Sequence, residues 1–149
     1  MSYYVRLVVS FPCHNRAYIR EVAQRFLEEC HFKDSDLPGE REAAWFLLDL
    51  SRGGSQWAGH EHGMCVWAID ANHCQANVFV SILRPFWHAL FRQKRDEAPL
   101  RFHHIVALCE AYERPESSSI SAYVIAYDER TDTVQMVRHD ALPFAWQGE

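Results

Sequence analysis

The chain has 149 residues, 48% of them hydrophobic and 23% charged, which is the length and balance of one folded domain. Twenty Asp and Glu against 15 Lys and Arg leave a net charge of −5, so nucleic acid, which calls for a basic face, is disfavoured as a partner. No apolar run reaches the roughly 18 residues of a membrane span, and five scattered cysteines without a CxxC pair point to free thiols in the cytoplasm.

Residues 3–11 alternate, with Tyr3, Val5, Leu7, Val9 and Phe11 on one side and Tyr4, Arg6, Val8 and Ser10 on the other. That pattern predicts a strand with one buried face, ended by Pro12. Asn15 is placed to cap a helix running to about Glu29, with Ile19, Val22, Phe26 and Cys30 as its apolar stripe. The helix ends on Glu28 and Glu29, the wrong charge for a C-terminus. Residues 31–42 read as a loop containing Pro38 and Gly39. From Glu28 to Glu42 six acids (Glu28, Glu29, Asp34, Asp36, Glu40, Glu42) face only Lys33 and Arg41, which makes this the most acidic patch.

Residues 43–51 hold the run WFLLDL, which fits a buried strand or a short helix. The turn signal Arg52-Gly53-Gly54 so soon afterwards favours the strand. Residues 64–70 form a second alternating strand, followed by a turn at Asn72. The β-branched run NVFVSIL at 77–83, with Val78, Val80 and Ile82, is expected to pair back on it as a hairpin. Proline costs nothing in the first turn of a helix, so Pro85 is expected to open one that runs to about Arg95. Residues 102–112, 120–127 and 133–139 read as strands, the last two joined by a turn at 128–132, and 142–146 is an apolar tail. The sum is a single α+β domain spanning 1–149. Its sheet is mainly antiparallel, of about six to seven strands, with two main helices packed on one face.

The unusual side chains gather between Gln56 and Gln75. His60, His62, Cys65 and Cys74 supply a nitrogen and sulfur set that suits tetrahedral zinc, with His73 as a substitute ligand. Their spacing lacks the two-residue gap of HExxH and the HxE with PCxxC of zinc deaminases, so no metal and no other cofactor is expected. A thiol nucleophile would draw Cys65 or Cys74 together with His103 or His104 and with Asp70 or Asn72, but no local signature supports that set. Phosphate-loop, dinucleotide and GxSxG patterns are absent from the sequence. Trp57, in a Gly-rich stretch, is expected to be partly exposed, and Trp67, in a strand, to be core. Asp34, Asp36, Glu40 and Glu42 with Trp57, His60 and His62 are therefore the expected contact surface for a basic protein partner.

In layout the chain resembles bacterial immunity proteins. The features that carry the likeness are the opening strand YYVRLVV, the central WAGHEHGMCVWAID and NVFVSI segments, and the acidic stretch from Glu28 to Glu42. The resemblance implies a stoichiometric inhibitor that neutralises a toxin by binding it. The alternatives are a small zinc- or Cys/His-dependent enzyme centred between His60 and Cys74, and a homodimeric structural or regulatory domain.

Overall fold

A computed structural model describes residues 4–12, 16–52, 64–92, 104–112 and 119–140. Strand β1 (Tyr4–Pro12) is followed by helices α1 (Arg16–Glu29) and α2 (Glu40–Arg52), then by β2 (Met64–Asn72). Two short helices, α3 (Ala76–Ile82) and α4 (Arg84–Phe91), precede β3 (His104–Tyr112), β4 (Ser119–Asp128) and β5 (Thr133–Asp140). The class is α+β. The strands form one antiparallel sheet in the order β2-β1-β3-β4-β5, with β1 flanked by β2 and β3.

Strand alternation decides which face is buried. Val5, Leu7, Val9 and Phe11 of β1 sit opposite Ala71, Ile69, Trp67 and Cys65 of β2. On the other flank, Leu7 and Val9 sit opposite Cys109 and Ala107 of β3. These residues join the buried side chains of all four helices in one core. The opposite face of the sheet carries Arg6, Leu108, Ile120 and Val137 in exposed positions.

Two segments expected as strands are helices, and their removal from the expected set leaves the five strands seen among the described residues. In residues 43–51 the buried side chains are Ala43, Ala44, Phe46, Leu47 and Leu50, which follow the helical i, i+3, i+4, i+7 stripe. Residues 76–83 bury Ala76, Phe79, Val80 and Leu83 at the same spacing, so Val78, Val80 and Ile82 are helical. The β-branched content of this segment is overridden by that burial: a helix puts the adjacent Phe79 and Val80 in the core together, which the alternation of a strand would not. Pro85 does stand in the first turn of α4. Within one continuous helix its ring would clash with the carbonyl of Ser81, so the chain bends at Leu83 into an α3–α4 elbow.

The helices meet at Phe46. Its ring centroid lies 5.1 Å from Trp67, 5.7 Å from Phe79, 5.7 Å from Phe86 and 5.5 Å from Trp87. The first three contacts are edge-on, the geometry that the ring quadrupoles favour. Both buried indoles satisfy their N–H: Trp67 donates to Asp49 Oδ2 at 2.8 Å and Trp87 to the Val80 carbonyl at 3.0 Å. Trp67 is core, as its strand position predicts.

Candidate functional groove

The stretch joining α1 to α2 is fixed at both ends. Phe32 is buried, the Ser35 amide donates to the Phe32 carbonyl at 3.1 Å, and Ser35 Oγ accepts the Leu37 amide at 3.1 Å. Gly39 has φ +88°, and a Cβ there would meet the Val78 Cβ at 2.7 Å and the Gln75 carbonyl oxygen at 2.8 Å. Only glycine permits both the left-handed backbone and this close approach. The loop is thereby pressed onto α3, and Glu40 enters α2 beside that helix.

Glu42 departs from its expected place on a contact surface: it is fully buried. Its Oε2 accepts the Gly39 amide at 2.6 Å, which satisfies a donor at the start of α2. Its Oε1 accepts Arg41 Nε at 3.0 Å and Nη2 at 2.7 Å, and Arg41 also reaches the Asn72 carbonyl at 3.0 Å. Glu42 therefore holds the frame. The acids left on the surface are Glu28, Glu29, Asp34 and Asp36, with Glu40 partly buried among them.

Two of these acids, Glu29 and Glu40, line a groove between the end of α1 and the α3–α4 elbow. Its inner chamber, about 240 Å³, is lined chiefly by Phe26, Phe32, Leu47, Ile82, Pro85 and Phe86, with Glu29, Cys30 and His31 at its lip. A second, more open chamber of about 440 Å³ shares His31 and Ile82 with the first and adds Glu40, Asn77, Val78 and Ser81. The Glu40 side chain is 19% exposed, and its contact among the described residues is His31 Nε2 at 3.9 Å, longer than a hydrogen bond. Leu37 and Trp45 are exposed nearby in sequence, and the Arg41 guanidinium lies 5.2 Å from the Trp45 ring centroid. Periodicity shows nothing of this groove. It exists because the elbow and the Gly39 contact bring segments about 50 residues apart together.

Trp57, His60 and His62 lie outside the described residues, as do Cys13, Asn15, His103 and the apolar tail. Cys65, near the start of β2, and Cys74, two residues past its end, are the other two named zinc ligands, and both are buried. Among the described residues no group of three or more His, Cys, Asp or Glu could hold a metal ion. Burial pushes the Cys74 thiol up to about 12, with the Glu42 carboxylate adding to the effect, and pushes Cys109 up to about 11. Both thiols stay protonated at neutral pH and are poor nucleophiles. Cys30, Cys65, Cys74 and Cys109 are free of disulfides.

A second polar cluster ties α4 to the β4–β5 turn. His88 Nε2 lies 3.0 Å and Arg92 Nε 3.6 Å from Asp132 Oδ1, and the Tyr127 hydroxyl donates to the same oxygen. The Tyr127 hydrogen bond, helped by His88 and Arg92, holds the Asp132 carboxyl below the usual carboxylate range. That carboxylate is already engaged by two hydrogen-bond partners and an ion pair, which makes the cluster a tie between elements. Residues 44 apart form it, and no local pattern in the sequence marks them.

No helix among the described residues is long and apolar enough to cross a membrane. Comparison with protein-family models, with curated proteins and with solved structures finds no match.

Proposed function

We propose that this chain is a protein-binding domain that takes a basic partner at the acid-bordered groove. In the more specific form of this reading it is an immunity-type inhibitor that neutralises a toxin stoichiometrically in the bacterial cytoplasm. One observation carries the proposal: within the most acidic stretch of the chain, Glu29 lines the apolar inner chamber and the partly buried Glu40 lines the chamber that adjoins it. At about 240 Å³ that chamber falls below the roughly 300–1,000 Å³ of small-molecule pockets and suits one anchoring side chain. Apolar anchors supply residence time, and complementary charge supplies association rate.

The test is neutralisation at controlled ratios. The captured partner should be basic, and its toxicity to growing cells should vanish only when the chain reaches one copy per partner. Protection at a small fraction of that ratio would mark a catalyst, and an acidic partner would contradict the charge argument. A second reading, a homodimer joined through the open sheet face, is favoured by the exposure of Leu108, Ile120 and Val137 on that face. Sedimentation equilibrium tests it: a monomer at high protein concentration would exclude it.

A further inference from the structure

We infer that the groove is bipartite and recognises an apolar side chain next to a lysine or arginine, with Glu40 as the residue that selects the cation. This inference rests on the basic-partner reading and specifies its chemistry. The inner chamber offers Phe26, Phe32, Ile82, Pro85 and Phe86, surfaces that gain from covering an apolar side chain. The outer chamber shares Ile82 and His31 with it, so one ligand can fill both without leaving the protein surface.

Glu40 lines that outer chamber. A carboxylate has about four acceptor sites, and among the described residues this one has only the 3.9 Å contact with His31. His31 is itself 80% exposed and is held by little else than the edge of the Phe32 ring. It can swing aside at small cost. Glu40 is the first residue of α2, where the helix dipole favours a negative charge. Its position is fixed by the Gly39 contact with α3. A lysine or arginine arriving over Ile82 and Val78 would lay its aliphatic stem on them and bring its head to a pre-positioned, mostly desolvated acid. Glu29 at the lip of the inner chamber adds attraction of the same sign.

The experiment is an NMR titration of the full chain with acetyl-Phe-Arg-amide, acetyl-Phe-Glu-amide and acetyl-Ala-Arg-amide. The Phe-Arg compound should shift the amide resonances of Glu40, Ser81, Ile82 and Phe86 saturably, and the other two should bind about tenfold more weakly, the worth of one charge-assisted contact or one buried apolar side chain. Glu40→Gln should remove the preference for Arg over Glu with the amide spectrum otherwise retained. Ser81→Lys, a change at an exposed position, should lower Phe-Arg affinity by occupying the same chamber and serves if Glu40→Gln folds poorly. Shifts that map elsewhere, equal binding of the three compounds, or unchanged binding in both variants would overturn the proposal. Asp34→Lys with Asp36→Lys lies outside both chambers and separates the two readings. If that pair slows association with the captured partner while Glu40→Gln leaves dissociation untouched, the basic-partner reading stands and the bipartite groove fails. If the dipeptide binds as expected but the captured partner is not basic, the groove stands and the partner reading fails.

Discussion

Phe86 borders two neighbourhoods built from the same kinds of side chain. On one side lies the Phe46 hub, where rings from α2, β2, α3 and α4 close on one another at 5.1–5.7 Å. On the other, Phe86 meets the ring of Phe26 edge-on at 6.0 Å, and beside that pair the packing stops and a chamber of about 240 Å³ opens. Chemical type does not separate cohesion from binding here. What separates them is closure: the hub packs four rings around Phe46, while the elbow at Pro85 and the loop seated by Gly39 leave the two chambers open beside Glu29 and Glu40. Residues of the hub should therefore matter for stability, and the exposed acids for association.

The largest expected effect is at the hub. Phe46→Ala removes the ring that four others contact and should cost about 3–5 kcal/mol in urea unfolding. A loss under about 1 kcal/mol would mean that the hub is not the centre of cohesion. Gly39→Ala comes next. It sets a Cβ 2.7 Å from that of Val78 and strains a backbone at φ +88°, so a loss of about 2–4 kcal/mol is expected, with the amides lining the outer chamber shifting at the same time. If stability falls while those amides stay in place, the loop does not set the groove.

A smaller effect concerns the Asp132 tie, which lies apart from both regions. Tyr127, His88 and Arg92 depress the Asp132 carboxyl in the folded state. A depressed value means that the tie stabilises fully above the unfolded carboxylate value of about 4 and is lost as pH falls through the lower, folded one. Urea midpoints measured downward from about pH 5 should therefore fall less steeply in Asp132→Asn than in the parent chain. The group is exposed, so the difference should be small. Identical slopes would remove the tie from the account.

The sheet was largely legible because it rests on alternation: Val5, Leu7, Val9 and Phe11 announce a buried face, and the three C-terminal strands and the turn at 128–132 stand where the pattern places them. The two misread segments are short apolar runs, where strand and helix share a composition. A helical signal was nonetheless present in the first: Gly39 followed by acids at 40 and 42 marks a helix start, and Phe46, Leu47 and Leu50 keep helical spacing. In the second, the spacing of Ala76, Phe79, Val80 and Leu83 competed with the strand preference of valine and isoleucine, and the burial of the adjacent Phe79 and Val80 on one helix face decided the outcome. The candidate site was legible as charge and not as shape. The acidic stretch could be read directly, but the burial of Glu42 depends on a cap to Gly39, and the chamber depends on Ile82, Pro85 and Phe86 folding back from far along the chain.

The central claim, that the exposed acids between residues 28 and 36 serve a partner and not the fold, is tested most directly by the association rate of the captured partner with a chain carrying Glu28→Lys, Glu29→Lys, Asp34→Lys and Asp36→Lys. All four positions are exposed, so the fold should hold to within about 1 kcal/mol. At about 0.05 M salt, association should slow by about tenfold or more. Near 1 M, where the screening length shrinks to about 3 Å, the two chains should differ by less than about twofold. Equal association rates at low salt would contradict the claim.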